Sequence, residues 1–290
     1  MSKTFQELGD TEVINIIDRI FYNVASLFTP PLFEVREDWG FHNEGDICWL
    51  RTDPPSEYPN WLFDTQFTEA NVDQRISEIA ARIKNGELPP IWALGPSSTP
   101  ANLAQKLMDH GFELVASFPG MAYDLSLLDE ESVRKSPLRL PEDNSQLDIR
   151  EIKTDEEFED WARVNIMGFN EYFHSTGCEV QTYGKLRDKK AAPRVKFYGA
   201  WLDGKMVGAA QAVLYPTGFP CKLVELHQCS VIPECRKMGI ARRLVTKPLF
   251  DARDEGYVMS SFFAEAKAAD PFWMSIGYKT YCEFEWYMLN

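Results

Sequence analysis

The sequence lacks the features that mark membrane-spanning, secreted and metal-binding proteins. Its 290 residues include no apolar run of about eighteen residues, which a transmembrane helix requires. Residues 1–13 contain no apolar signal-peptide core, so we expect a cytoplasmic protein. None of the six cysteines forms a C-x-x-C pair, and the four histidines do not cluster with them. The sequence therefore predicts no metal site and no membrane partner, and it singles out no cysteine nucleophile.

Basic residues are also scarce. The chain has 30 Lys and Arg against 44 Asp and Glu, which gives a formal net charge of −14. This balance argues against a general affinity for nucleic acid, although it is compatible with a cationic amine as partner. Hydrophobic residues make up 44% and aromatic residues 13%, so the chain can bury a packed core as one large domain or two ordinary ones.

The rest of the chain is organised around residues 224–244. The apolar run 224–231 predicts a buried strand, which ends before Pro233 because proline cannot donate to a strand ladder. A tight turn follows, and a helix begins near Ala241. Gly239 and Ala241 keep side chains away from the turn, so that successive backbone N–H groups can point into one space. Together with the helix N-terminus, these groups predict a phosphate-binding cradle.

This stretch resembles the pyrophosphate loop of the GNAT superfamily, the GCN5-related N-acetyltransferases. Arg236, Gly239 and Ala241 occupy the fixed positions of its pattern Gln/Arg-x-x-Gly-x-Gly/Ala between a strand and a helix. After a second predicted strand, residues 271–278 read Pro-Phe-Trp-Met-Ser-Ile-Gly-Tyr, similar to the family's Phe-Tyr-x-x-x-Gly-Phe. The resemblance covers residues 147–290. It implies an α/β fold with a mixed, mostly antiparallel central sheet flanked by helices.

The resemblance also implies a cofactor, acetyl-CoA, which serves as acyl donor without a metal. Its pyrophosphate would bind the loop, and its pantetheine arm would bind backbone groups where the central strand splays from its neighbour. The implied cofactor-binding residues are Cys229, Ser230, Val231, Arg236, Lys237, Met238, Gly239, Ile240 and Ala241.

Acetyl transfer to an amine requires a base, and Glu225 is the first candidate. It precedes Arg236 by eleven residues, a spacing at which several members of the family carry a catalytic glutamate. Strand alternation predicts that Glu225, His227 and Cys229 share one face, where burial raises a carboxyl pKa. A structural ion pair is the alternative role of Glu225. His227 is the second candidate, because imidazole exchanges protons near neutral pH, although it equally suits a hydrogen-bonded core position.

The proton donor is harder to assign. Trp273 occupies the position of the family's tyrosine, and Ala266 occupies that of a frequent asparagine. Tyr278 is the substitute that we choose as catalytic, with Tyr281 as the other option, and both are also typical core aromatics. The acceptor pocket would follow the first helix of this half, where Asn170, Glu171 and Tyr172 are candidates by position alone; a solvated loop is equally compatible.

The first half predicts a weak internal repeat. Gly111-Phe112 and Gly277-Tyr278 each follow a helix and precede two predicted strands, 112–118 and 121–125 in the first half. The first half has no Arg/Gln-x-x-Gly-x-Gly/Ala loop before Ile91, so we expect a degenerate GNAT-like domain without its own cofactor. The predicted organisation is a degenerate domain at 1–127, a polar linker at 128–146 and an acetyltransferase domain at 147–290.

The predicted function is acetyl-CoA-dependent N-acyl transfer to a primary amine, by direct transfer in a ternary complex. The acceptor is a small molecule or a peptide, and the protein is a monomer or a homodimer. The alternative is a weak or inactive CoA-binding module with a regulatory role, which the changes at Trp273 and Ala266 favour. A scaffold without ligand is disfavoured by the intact loop.

Overall fold

The computed structural model describes residues 2–27, 40–51, 60–169, 194–263 and 270–289. The chain divides into two compact units. The amino-terminal unit consists of Asp10–Met121, Phe263–Pro271 and Thr280–Asn290. The carboxy-terminal unit consists of Met1–Gly9, Ala122–Phe262 and Phe272–Lys279.

The amino-terminal unit contains both helices and strands. Its helices are α1 (Asp10–Leu27), α2 (Val72–Lys84) and α3 (Leu103–Asp109). Its strands are β1 (Gly40–Asn43), β2 (Cys48–Arg51), β3 (Trp61–Phe63), β4 (Ile91–Leu94), most of β5 (Phe112–Asp124) and β11 (Lys279–Leu289). The strand order is β1-β2-β3-β4-β11-β5, in which the β3–β4 pair is parallel and the β1–β2, β2–β3 and β4–β11 pairs are antiparallel.

The core of this unit follows from helical and strand periodicity. Val72, Ile76 and Ile79 form one stripe of α2, and all three are buried against Trp92 and Phe112. Burying such side chains stabilises the fold by about 1.5–3 kcal/mol each. Helix α2 is therefore amphipathic, with its apolar stripe in the core.

The carboxy-terminal unit has the same kind of architecture. Its helices are α4 (Glu130–Lys135), α5 (Asp155–Phe169), α6 (Ile240–Asp254) and most of α7 (Asp270–Ile276). Its strands are β6 (Leu147–Glu151), β7 (Arg194–Leu202), β8 (Lys205–Tyr215), β9 (Leu223–Val231) and β10 (Met259–Phe263), which lie in the order β10-β9-β8-β7-β6. Only the β9–β10 pair is parallel among these neighbours. Strands β7 and β8 form a hairpin through Asp203-Gly204, since both residues have positive φ and the flanking residues pair.

The internal repeat is visible in the connections. In the carboxy-terminal unit, the parallel strands β9 and β10 are joined through α6. In the amino-terminal unit, the parallel strands β3 and β4 are joined through α2. Parallel neighbours require such a crossover, because a tight turn can join only antiparallel strands.

The structure differs from the prediction in three places. Strand β5 is continuous across 119–120, where the sequence predicts a break between two strands. The predicted linker at 128–146 contains α4 and lies within the carboxy-terminal unit. The two units are also discontinuous in sequence: Thr280–Asn290 belongs to the amino-terminal unit, whereas Ala122–Phe262 belongs to the other. Compact units formed by packing therefore do not follow the predicted boundaries in sequence.

Candidate active site

The loop between β9 and α6 forms a concave row of backbone amides. Lys237 has a φ of 62° and Gly239 a φ of 88°, both in the left-handed region. Gly239 is the N-cap of α6, and no side chain caps the helix start. Alternating left-handed residues and an uncapped helix N-terminus direct N–H groups and partial positive charge into one space. The loop thus has the form of an anion-binding nest.

A second stretch of chain crosses this loop. Residues 136–139, here the crossing segment, pass over Gly239, where an added Cβ would lie 2.2 Å from the carbonyl oxygen of Pro137. The backbone N–H of Arg139 donates to the carbonyl of Met238 over 2.9 Å. Two features therefore require glycine at position 239: its positive φ and the close approach of the crossing segment, towards which a Cβ would point.

Arg236 anchors the loop from inside. Its Nη2 donates to the carbonyl of Gly168, near the end of α5, over 2.9 Å. Its Nε donates to the carbonyl of Val231, at the end of β9, over 3.2 Å. The guanidinium therefore joins the loop to a helix end and a strand end, and its planar arrangement of donors suits two separate acceptors.

Strand β9 is interrupted by a bulge next to the loop. Gln228 has a φ of 49°, and the pairing with β8 slips between Ala209 and Gln211. The side-chain amide of Asn165 on α5 donates to Gln228 Oε1. A bulge places an extra residue in one strand, bends it and reverses the alternation of the side chains that follow.

The alternation predicted beyond His227 is therefore wrong. Ser230, expected on the opposite face from His227, approaches α5, since a Cβ on Gly168 would lie 2.4 Å from the Ser230 Cβ. Cys229, expected beside His227, precedes Ser230 and is therefore turned to the opposite face from His227. Burial raises the pKa of the Cys229 thiol to about 12, so that it remains protonated and unreactive at neutral pH.

The parallel pair β9–β10 separates early. Its ladder joins Leu223–Glu225 to Met259–Ser261 and extends no further among the described residues. Beyond Glu225, β10 does not use the edge of β9 that faces it. The resemblance implies a splay at residues 229–231, which lie in this part of β9 beyond the ladder.

Glu225 and His227 are in direct contact. Glu225 is fully buried; its Oε2 accepts a hydrogen bond from the Tyr215 hydroxyl over 3.1 Å, and its Oε1 lies 3.0 Å from His227 Nε2. Burial raises the pKa of Glu225, while His227 and the Tyr215 hydroxyl oppose the rise. The His227 side chain is 9% exposed. The imidazole is the more accessible member of this hydrogen-bonded pair.

Tyr278 lies in an aromatic cluster. Its ring packs edge-on against Phe262 and Trp273, with centroid distances of 5.3 and 5.5 Å. Its hydroxyl lies 2.6 Å from Ser260 Oγ, and burial raises its pKa. Tyr281, the other predicted substitute, is partly exposed on β11 of the amino-terminal unit. Trp273, at the family's tyrosine position, is a buried core residue.

Some predicted residues lie outside the described part of the chain. They are Asn170, Glu171, Tyr172 and Ala266. Within the described ranges, no three His, Cys, Asp or Glu side chains meet as a metal-binding group. Searched over those same ranges, no helix combines the length and apolar character needed to span a bilayer.

The sequence did not indicate four polar residues around this site: Tyr215, Gln211, Asn165 and Gln228. Tyr215 and Gln211 share the face of Glu225, because β8 pairs Val213 with Glu225 and Gln211 with His227. Extending the strand alternation to β8 would have found both. The contact between Gln228 and Asn165 depends on the bulge, and no glycine or proline in the sequence signals that bulge.

These features fit acetyl-CoA, the group implied by the resemblance. The nest at 237–241 offers amides to an anion, and the separated edge at 229–231 offers backbone groups to an extended chain. The first turn of α6 contains no acidic residue that would repel a phosphate.

Comparisons with known proteins agree with this fold. A sequence model described as "Acetyltransferase (GNAT) family" matches residues 151–278. A GCN5-related N-acetyltransferase from Kribbella flavida aligns at a TM-score of 0.59 with 16% identity, over 92% of this chain and 94% of that chain. A tandem GNAT protein from the clavulanic acid biosynthesis pathway aligns at 0.54 with 14% identity, over 83% of this chain and 77% of that chain. No curated protein matches the sequence.

The alignments bear on both halves of the chain. A functionally unknown conserved protein from Staphylococcus epidermidis ATCC 12228 also aligns at a TM-score of 0.59, with 12% identity over 89% of this chain and 96% of that chain. At such identities a structural likeness shows the fold alone. The predicted fold is therefore confirmed, including the GNAT-like region of the first half.

Proposed function

We propose that this chain, in which residues 151–278 form a domain of the acetyltransferase (GNAT) family, is an acetyl-CoA-dependent N-acyltransferase. It moves an acetyl group to a primary amine of a small molecule or peptide, by direct transfer in a ternary complex. The observation that carries the proposal is the buried Glu225–His227 pair on the strand that leads into the nest.

The nest and the strand edge hold the donor. The amides of 237–241 bind the pyrophosphate, and backbone groups of 229–231 bind the pantetheine arm and polarise the acyl carbonyl. When bound, acetyl-CoA supplies an activated thioester. Arg236 keeps the loop in place from behind through its two carbonyl contacts.

His227 receives the proton that the acceptor ammonium must lose. The imidazole is the accessible member of the pair, whereas both oxygens of Glu225 are engaged by hydrogen-bonding partners. Glu225 orients the ring through Nε2 and stabilises the imidazolium that forms. Tyr215 supports Glu225 in turn, since burial and Glu225 raise the pKa of this phenol and keep its hydroxyl a donor.

Tyr278 has a smaller part in this proposal. Burial raises its pKa, which makes the phenol a weaker acid, and its hydroxyl is already bonded to Ser260. A thiol has an ordinary pKa of about 8.5, so a thiolate can leave without a proton donor at modest cost. We therefore retain Tyr278 as a candidate donor whose loss costs little.

A second candidate is a CoA-binding module with little or no turnover. The buried Trp273 at the family's tyrosine position favours it, because indole cannot donate a proton to a thiolate. Turnover separates the two candidates.

The test is thiol release from acetyl-CoA with a panel of amine acceptors, including amino acids, polyamines, peptide N-termini and lysine side chains. We expect acceptor-dependent thiol release that is abolished in His227→Ala. Binding of acetyl-CoA measured by calorimetry, without thiol release from any acceptor, would instead indicate the binding module. Absence of acetyl-CoA binding would contradict both.

A further inference from the structure

Gln211 on β8 has a buried side chain with unmet hydrogen-bonding capacity. It is 2% exposed, and its amide oxygen has no hydrogen-bond partner among the described residues. Buried polar groups are almost always hydrogen-bonded, because leaving one unpaired lowers stability. A buried amide without a partner therefore needs an explanation, and binding a ligand is one that can be tested.

The position of Gln211 points to the ligand. Gln211 pairs directly with His227 across the β8–β9 ladder, so the two side chains leave the same face of the sheet. The next pair towards the loop is Ala209 with Ser230, beyond the bulge at Gln228. Gln211 thus lies directly across the ladder from the proposed base, level with a part of β9 that lies beyond its ladder with β10.

We propose that Gln211 Oε1 accepts a hydrogen bond from the nitrogen of the acceptor, and that this contact makes the enzyme select amines over alcohols. The inference rests on the proposed function and deepens it. A primary ammonium carries three N–H bonds. After one proton passes to His227, two N–H bonds remain, and one can donate to Gln211 while the nitrogen lone pair faces the acyl carbon.

An alcohol of the same shape cannot satisfy this contact. Its oxygen carries one proton, and once that proton moves to His227 no donor remains for the amide oxygen. Gln211 would then be left buried and unpaired against an oxygen that is becoming negative. A site built around a buried hydrogen-bonding group rejects analogues that lack the matching group, and it does so more strongly than an apolar pocket.

The first experiment needs no known acceptor. In the ligand-free protein we compare Gln211→Met with Gln74→Met, which removes an exposed amide that bonds to Glu78 on the helix surface. If Gln211 awaits a ligand, methionine relieves the unpaired amide and raises the melting temperature by roughly 2–4 °C, while the control changes little. An unchanged or lower melting temperature would mean that another part of the protein or a trapped water already bonds the amide, which overturns the proposal.

The second experiment measures selectivity. Acceptor amines identified by the panel are paired with their hydroxyl analogues, and kcat/KM is measured for wild type, Gln211→Met and Gln211→Leu. We expect kcat/KM for the amine to fall about tenfold, the value for the alcohol to stay within about threefold, and the affinity for acetyl-CoA to be unchanged.

The outcomes separate this inference from the proposed function. Wild-type turnover of amines with the same amine-to-alcohol ratio in both variants overturns the role of Gln211 and leaves the proposed function standing. A wild-type protein that acylates no amine at all removes the proposed function and this inference together. A lower ratio with normal acetyl-CoA binding supports both.

Discussion

The two parallel crossovers of this chain share a topology and differ in the loop that opens each helix. Before α6, the loop ends at Gly239 in the left-handed region, without a side-chain cap and without acid in the first helical turn. Before α2, Asn71 Oδ1 accepts hydrogen bonds from the backbone N–H and hydroxyl of Thr68, and Asp73 lies in the first turn. Neither helix start has a side-chain cap, but at the start of α2 the carbonyl of Thr68 accepts from the backbone N–H groups of Asn71 and Val72, and the first turn is negatively charged.

The backbone of the two loops shows the same contrast. In the amino-terminal unit, the N–H of Gln66 donates to Asp46 and the N–H of Phe67 donates to Thr99. These amides are used within the unit, whereas no such backbone bond is found for the N–H groups of 237–239 among the described residues. Strand–helix–strand topology is therefore insufficient for phosphate binding, which depends on a few residues that leave N–H groups free.

The largest effect should come from His227→Ala. Loss of a general base lowers kcat/KM by about 10²–10⁴, with the affinity for acetyl-CoA nearly unchanged. Glu225→Gln should lower kcat/KM less, because glutamine keeps the shape of the pair. Some loss remains, because glutamine lacks the charge that supports the imidazolium. Steady-state kinetics and calorimetry on each variant provide the check. Full turnover in His227→Ala would contradict the role of His227, because another base, in either unit, would then accept the proton.

Gly239→Ala should have the next largest effect. A Cβ at this position meets the Pro137 carbonyl at 2.2 Å on a backbone with φ of 88°, so we expect a loss of more than about 2 kcal/mol in unfolding free energy. The matched control is Gly86→Ala in the amino-terminal unit, where φ is 73° and nothing lies within 4 Å of an added Cβ, so we expect a loss of about 1 kcal/mol in unfolding free energy. Denaturant unfolding measures both variants.

The same pair of variants tests where the ligand binds. Calorimetry should give one CoA per chain for the wild type and for Gly86→Ala, and no binding for Gly239→Ala. A stoichiometry of two would show that the loop before α2 also binds, and it would remove the distinction between the two units.

A smaller effect concerns pH. Burial raises the folded-state pKa of Glu225 above its unfolded value, so the native state binds its proton more tightly. That contribution to stability is fully present below the ordinary carboxyl range, near pH 4.5, and is lost as pH rises through the folded-state pKa. Glu225→Gln should therefore gain stability relative to wild type as pH rises.

Asp18→Asn provides the counterpart in the amino-terminal unit, where burial likewise raises the pKa of a carboxyl group. Chemical denaturation at several pH values should show the same direction for both variants. A relative loss of stability with rising pH in Glu225→Gln would contradict the assigned environment of Glu225.

The smallest effect is expected for Tyr278→Phe. Its hydroxyl contacts Ser260, and one such hydrogen bond corresponds to less than about a tenfold change in rate or binding. A drop in kcat approaching that of His227→Ala would instead make Tyr278 the proton donor.

The sequence was informative where local chemistry decides the structure. Gly239 between a strand and a helix indicated the loop, because few other residues adopt its backbone conformation. The contact between Glu225 and His227 followed from alternation along an uninterrupted stretch of β9. The positions of Cys229 and Ser230 did not, because the bulge at Gln228 is held by Asn165, which is distant in sequence.

The second kind of error came from long-range packing. The polar composition of 128–146 predicted a linker, but Arg243 on α6 donates to the carbonyls of Arg134 and Ser136 within it. Backbone carbonyls are present in any sequence, so composition gives no sign that a given pair will be used as acceptors. Composition likewise gives no sign that the last strand, β11, belongs to the amino-terminal unit.

The crossing segment limits where the chain can be divided into fragments for expression. A fragment that starts at residue 147 would encode the matched family residues, yet it would lack 136–139, which contact the loop at Gly239 and Met238. It would also contain Thr280–Asn290 without the strand β4 that pairs with β11. Expression of residues 147–290 alone should therefore give a poorly soluble product.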